Sequence, residues 1–322
     1  MNAVADTLIK SDSPQSIDEA ASILRVGGLV AFPTETVYGL GADACNDRAV
    51  ACIFETKQRP QFNPLIIHVK DIKQANEFAE FSGFALDLEK AFWPGALTLV
   101  VKRKADSRLS LLATAGLDTV AVRVPNHPLA QALLKAADMP IAAPSANKSG
   151  AISPTQAAHV QQQFKGSSTL DMILDGGPCR VGLESTIVDV STQTPTLLRP
   201  GGVAVEDIEA IIGPLSLASG DTITAPGQMQ SHYAPNVPLR MNVAPQDRTP
   251  GEALLGFGPN MPADTALNLS PNANLSEAAA NLFSMMRQLD HSGTQSIAVV
   301  PIPSVGLGLA INDRLKRASA PK

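Results

Sequence analysis

Cysteine is scarce in this chain. The three that occur, Cys45, Cys52 and Cys179, form no CxxC pair and no metal-ligand spacing. An odd number without a framework argues against a disulfide scaffold and fits a reducing compartment. The plain reading of these thiols is three small, partly buried side chains. The five histidines are scattered, so neither an HExxH helix nor a zinc set is present. There is no GxxxxGK[ST] loop and no GxSxG elbow, and the glycine-rich GGLVAFPTETVYGLGAD does not follow GxGxxG. No apolar run approaches the ~18 residues of a membrane span, and the opening MNAVADTLIKSDSPQS has no apolar h-region of a secretory signal. A cytoplasmic protein is expected. Basic charge is not in excess either. The net charge of −5 and pI near 5.6 do not suggest a nucleic-acid binder, although a local basic groove stays open.

What is present is core. A hydrophobic fraction of 44% over 322 residues describes a globular chain long enough for two domains, or one large and one small. Ser13-Pro14, followed by Ile17, Ala20, Ala21 and Leu24, reads as a capped amphipathic helix ended by Gly27-Gly28. Asp47 opens a second helix with Val50, Ile53 and Phe54 as its stripe. Further helical patterns lie near 71–80, 84–92, 128–137, 154–164 and 205–212. LVAFP, LIIHV, LTLVV, TVAVRV and STIVDV read as strands rich in β-branched residues. The expected class is α/β, with the strand order left open. Residues 213–238 carry four prolines and three glycines with little periodicity, which predicts a linker or an extended binding loop. ALLGF, a helix near 275–289, SIAVV and a helix near 307–318 then form a second, smaller α/β unit.

Four polar clusters follow or end strands. They are Thr34-Glu35-Thr36 with Tyr38; Lys57, Arg59 and Asn63 leading to His68; Pro144-Ser145-Ala146-Asn147-Lys148-Ser149-Gly150 with Ser153; and Glu184-Ser185-Thr186 followed by Leu198-Arg199-Pro200-Gly201-Gly202. Ligands bind where strand ends meet loops in open α/β sheets. Lysine and arginine beside small hydroxyl residues suit a phosphate-bearing ligand. Each cluster also has a bland reading: strand threonines, cations at a helix end, a turn at SANKSG, a half-buried strand histidine at His68. Arg123, which interrupts the apolar strand AVRVP, could simply pair with a carboxylate. The recurrence of the clusters at strand ends favours a site.

FPTETVYGLG, KxRP with N-P-L-I-x-H, W-P-G-x-L-T, A-V-R-V-P, A-P-S-A-N-x-S-G, E-S-T-I-V and L-R-P-G occur in this order. Together they resemble the YrdC/Sua5 threonylcarbamoyl-AMP synthases over about residues 14–212. S-H-Y-A-P after a linker, with a small α/β tail, is similar to the long Sua5 type. The resemblance implies a twisted mixed open sheet with helices enclosing a cavity (14–212), a linker or lid (213–238) and a C-terminal α/β domain (239–322). It implies synthesis of threonylcarbamoyl-AMP and pyrophosphate from L-threonine, bicarbonate or CO2, and ATP, with Mg2+ held mainly by the ATP phosphates. The product would feed a downstream tRNA-modifying transferase complex that makes N6-threonylcarbamoyladenosine (t6A37); a direct tRNA contact is left open. By the same resemblance, Thr36, His68, Arg123, Ala143 and Ser185 would hold threonine. Lys57, Arg59, Asn63, Thr119, Ser145, Asn147, Ser153, Arg199 and Tyr233 would surround ATP. Two other readings compete. A carbamoyltransferase of hydrogenase maturation needs acylphosphatase-like and zinc-finger segments, for which this chain has neither the length nor the cysteines. An RNA-binding factor is opposed by the acidic pI and the missing aromatic–basic interleaving.

Overall fold

In the computed structural model, residues 8–60, 62–218, 232–291 and 293–321 are described. The first helix, Pro14–Arg25, starts because the Ser13 side chain accepts from Ser16 N and Pro14 sets the first turn. Helix Asp47–Lys57 is capped by Asn46, whose side chain accepts from Arg48 N and Ala49 N. It stops at Gln58, which takes the left-handed conformation at φ 52°, two residues before Pro60. This early stop lets Lys57 and Arg59 leave the regular helical spacing that would point them apart.

Among the described residues a twelve-stranded mixed sheet forms. Its order runs Leu8–Ser11, Met172–Asp175, Val30–Phe32, Gly39–Asp43, Ile141–Ala142, Ile66–His68, Thr119–Arg123, Leu97–Arg103, Thr186–Asp189, Thr196–Arg199 and Ser216–Leu217; Ala79–Glu80 pairs on Leu97–Arg103. The parallel register of Ile66–His68 with Thr119–Arg123 sets His68 beside Arg123. A second sheet of four parallel strands runs Leu239–Arg240, Ser296–Val299, Glu252–Gly256 and Leu267–Asn268, with helices Leu275–His291 and Leu307–Ala318 packed on one another.

Three expectations are corrected. The 71–80 pattern yields only the short helix Ile72–Ala75, because Ala79–Glu80 is drawn into the sheet by Lys102 and Arg103. The helix expected from 154 begins at Ala157, since the Pro154 carbonyl accepts from Tyr38 N instead. Within the expected linker, Ser216–Leu217 adds an edge strand against Thr196 and Leu197. Residues 219–231 of that linker lie outside the described residues.

The two units share a boundary of core. The apolar cluster built on Leu254, Leu282, Phe283, Met286, Ile297 and Ile311 also takes in Val37, Ile152 and Leu183 from the larger unit, with Tyr233 between them. Gly182, at φ 74°, makes the close approach possible: a Cβ there would stand 2.5 Å from Ala280 Cα.

Candidate functional site

The polar clusters converge on one cavity at the ends of the central strands. Thr36, His68, Arg123, Ala143 and Ser185 line it together with Arg59, Ser145, Arg199 and Tyr233. The remaining space inside is about 50 Å³.

At one side stands Arg123. It is 3% exposed and donates to Glu35 Oε1 at 2.6 Å, to Thr36 Oγ1 at 2.8 Å and to the Gly95 carbonyl at 3.1 Å. Glu35 is held in turn by Asn126 N at 3.0 Å, and Thr36 by Thr34 at 2.7 Å. The arginine in an apolar strand thus has a buried internal partner, and its guanidinium is fixed by three acceptors. His68 packs edge-on against Phe32. Burial first, then the charge of Arg123, pushes the imidazole down to about 3, outweighing a backbone hydrogen bond to Ile66. His68 is therefore neutral near pH 7, and its Nδ1 is buried without a hydrogen-bond partner. Ser185 Oγ is bonded to Thr98 at 2.7 Å.

The opposite side is cationic. Lys57 is 1% exposed, and its ammonium donates to the carbonyls of Ser145 and Asn147. Arg59 donates to the carbonyls of Asn63 and Pro64, at 3.3 and 3.0 Å. Among the described residues no carboxylate lies within ion-pair distance of Lys57 or Arg59. Burial, then the neighbouring Arg59, holds the Lys57 ammonium well below its usual range. Burial and Arg199 bring Arg59 down to about 10. Arg199 donates to the Ser185 carbonyl and hydroxyl. Such a group of buried cations facing neutral acceptors is arranged for an anion.

Lys57, Asn63, Asn147 and Ser153 stand immediately behind this wall. Asn147 closes its own loop onto the Lys148 and Ala151 carbonyls, both at 2.8 Å. Ser153 Oγ donates to Glu184 Oε1 at 2.5 Å. Thr119 is the exception. It begins the strand that Arg123 ends and faces Lys102 in the neighbouring strand, roughly 13 Å along the chain from Arg123. The structure does not bring it to the cavity.

Sequence reasoning missed several contributors. Glu35 and Glu184 were legible only as members of polar strings, and neither pairing partner is near in sequence. His232 lines the cavity beside Tyr233, and burial pushes it down to about 3. Tyr233 is 1% exposed, at φ 64°, stacked on Phe283 at 5.4 Å and covered by the Arg314 guanidinium at 5.2 Å. Arg314 gave no signal at all, lying in an ordinary amphipathic helix.

No group of three or more His, Cys, Asp or Glu side chains forms a metal-binding set among the described residues, and no described helix is long and apolar enough to cross a membrane.

Comparison with known proteins agrees with this arrangement. Residues 22–201 match the Sua5/YciO/YrdC family, described as "Telomere recombination", and residues 203–320 match the threonylcarbamoyl-AMP synthase C-terminal domain. The chain is 43% identical to the threonylcarbamoyl-AMP synthase of Bacillus subtilis over 98% of its own length and 96% of the relative's. It is 34% identical to that of Schizosaccharomyces pombe over 96% and 90%. The crystal structure of Pyrococcus abyssi Sua5 complexed with L-threonine superposes with a TM-score of 0.88 at 39% identity, covering 98% of both chains. With both halves matched and relatives aligned from end to end, the chain belongs to the Sua5/YciO/YrdC family, in the branch that carries the Sua5-type C-terminal domain.

Proposed function

We propose that this protein is an L-threonylcarbamoyl-AMP synthase, a nucleotidyltransferase that joins L-threonine, bicarbonate or CO2, and ATP into threonylcarbamoyl-AMP with release of pyrophosphate. The observation that carries the proposal is one cavity with two unlike sides. One presents a fixed guanidinium, hydroxyls and a neutral imidazole; the other presents buried Arg59 and Arg199 with Lys57 behind them, and among the described residues neither Lys57 nor Arg59 has a carboxylate within ion-pair distance.

On the first side, Arg123 faces the threonine carboxylate, with Thr36, Ala143 and Ser185 around the rest of the molecule. Neutral His68, with a free acceptor nitrogen, suits the threonine amino group. The threonine amino nitrogen, as the free amine, attacks CO2, forming a C–N bond and releasing a proton to solvent, to give a carbamate. A carbamate oxygen then attacks the α-phosphorus, and the bond to the bridging oxygen breaks as pyrophosphate leaves. No side-chain nucleophile is needed, so positioning and charge stabilisation dominate. Lys57, Arg59 and Arg199 serve the phosphates, while Ser145, Asn147, Ser153, Asn63 and Tyr233 surround the nucleotide. Thr119 would reach the nucleotide only if the base extends away from this cavity. Mg2+ would come with ATP and would help offset the charge that develops on the phosphates beside Arg59 and Arg199, as suits an ion that usually relies on few protein ligands.

A space of about 50 Å³ is far too small for ATP. The proposed cycle therefore includes a movement of the His232–Tyr233 segment, which lines the cavity, to admit the nucleotide and then to exclude water from the carbamate and adenylate. The product would feed transfer to tRNA by a separate enzyme complex, in a cytoplasmic setting. The test is pyrophosphate release from ATP. It is expected to require threonine, bicarbonate and Mg2+ together, and to prefer threonine over serine by roughly 10–200-fold, the worth of one methyl group. Pyrophosphate release that ignores threonine or bicarbonate would reject the proposal.

A further inference from the structure

The tail unit sends one charged side chain into the wall of the cavity. Arg314, on helix Leu307–Ala318, is 0% exposed. Its Nε donates to Glu184 Oε2 at 2.8 Å; its Nη1 donates to the Pro200 carbonyl at 2.9 Å and to Asp313 Oδ2 at 2.7 Å. Its planar face lies 5.2 Å from the Tyr233 ring centroid, while Nη2 is buried with no hydrogen-bond partner. Lysine could not make this set of contacts, since they need a rigid fork and a flat face.

Both groups it holds line the cavity, and both lie on the nucleotide side. Glu184 receives Ser153 Oγ on its other oxygen, so Arg314, Glu184 and Ser153 form one buried chain of charge-assisted bonds. Tyr233 is fixed between Phe283 and Arg314, both from the tail. The groups facing threonine have other supports: Thr36, His68 and Arg123 rest on Glu35, Thr34 and Phe32 of the larger unit.

We propose that Arg314 is a positioning residue for the nucleotide half of the reaction, through which the tail unit orders Glu184, Ser153 and Tyr233 and so sets affinity for ATP but not for threonine. The inference rests on the function proposed above. It assigns the tail unit a direct part in the site, as the anchor that makes the closed position of Tyr233 a defined one.

The experiment uses the full chain. Arg314→Met and Arg314→Lys are titrated calorimetrically with a non-hydrolysable ATP analogue and, separately, with L-threonine. Arg314→Met is expected to weaken the analogue by ~10–100-fold, the scale of coupling within one charge network. Threonine affinity is expected to change by less than ~3-fold, a split that simple loss of fold integrity does not produce. Arg314→Lys keeps the charge beside Glu184 and should recover only part of the loss. If Arg314→Met does not fold because Glu184 is stranded, the double variant Arg314→Met/Glu184→Gln removes both charges of that ion pair together. It is expected to melt near the wild type yet still bind the analogue weakly. Wild-type affinity for the analogue in the folded variants, or equal losses for both ligands, would overturn the proposal. Binding is read without turnover, so a protein that binds the analogue but makes no pyrophosphate would refute the proposed function and leave the role of Arg314 standing.

Discussion

Replacing Glu35 by glutamine tests the threonine side where it is most tightly built. The Glu35–Arg123 pair is 2.6 Å long, with side-chain exposures of 2% and 4%. At that distance the gross attraction is about 6 kcal/mol for an effective dielectric of ~20. Removing one partner of a buried pair typically costs ~3–5 kcal/mol, because the other charge is left uncompensated. Glutamine does not repair the site. Glu35 Oε1 receives Arg123 and Oε2 receives Asn126 N, so one glutamine amide group would face a donor with a donor. For a chain of this size, roughly 2 °C per kcal/mol converts the loss into a Tm lower by about 6–10 °C. Threonine brings a carboxylate back to Arg123. Its stabilising shift should therefore be larger in Glu35→Gln than in the wild type, the reverse of a generic binding defect. The assay is thermal unfolding followed by circular dichroism, with and without saturating threonine. A variant melting within about 2 °C of the wild type, or gaining no more from threonine than the wild type does, would refute this account of Arg123.

Lys57→Met removes a buried ammonium that has no carboxylate partner among the described residues; the ligand-free protein should melt no lower than the wild type while ATP binding weakens by ~2–5 kcal/mol, and normal nucleotide affinity by calorimetry would contradict the phosphate role. His68 and His232, both held near 3, stay neutral in the folded state while the unfolded chain takes up protons below about 6.5. Stability should therefore fall as pH is lowered from about 6.5 towards 5, by up to ~1.4 kcal/mol per pH unit for each histidine. Glu184, held near 2 because Arg314 and Arg199 overcome the effect of burial, does not titrate in that window; urea midpoints that stay flat between pH 6.5 and 5 would refute neutral burial. Gly182→Ala forces a Cβ to within 2.5 Å of Ala280 Cα at a φ of 74°, and should cost ~2–4 kcal/mol by overpacking and strain, visible as a lower melting temperature; unchanged melting would mean the two units separate freely there.

Helices with caps and stripes were readable because their signals are local. Ser13, Asp47 and Gly27 mark ends that depend on a few neighbouring residues. Strand Gly39–Asp43 was not readable. Its sequence GLGAD looks like a turn, and it extends only because Val30–Phe32 and Ile141–Ala142 pair on either side of it. The absence of a side chain at Gly41, where a Cβ would meet the Phe32 ring at 2.8 Å, is what allows that pairing. The site divides the same way. Arg123 stood out as a charge in an apolar strand, and Lys57 and Arg59 beside Pro60 declared a helix end. Their partners could not be read, since hydrogen bonds such as Arg123 to Glu35 or Arg314 to Glu184 join residues 88 and 130 positions apart, and periodicity carries no information at that range.

The ion pair between Glu184 and Arg314 also imposes an order in time. Domains fold as units during synthesis, at about 5–20 residues per second. Arg314 follows Glu184 by 130 residues, so roughly 7–26 s separate their emergence. Late in that interval, once Ser216–Leu217 has been made, the larger unit has its strands but lacks the counter-charge of Glu184, the Phe283 and Arg314 supports of Tyr233 and the apolar surface that meets Val37, Ile152 and Leu183. A nascent chain is thereby kept from presenting a finished nucleotide site before its last helix has docked, and the same exposed patch is where a chaperone or an aggregating neighbour would first take hold.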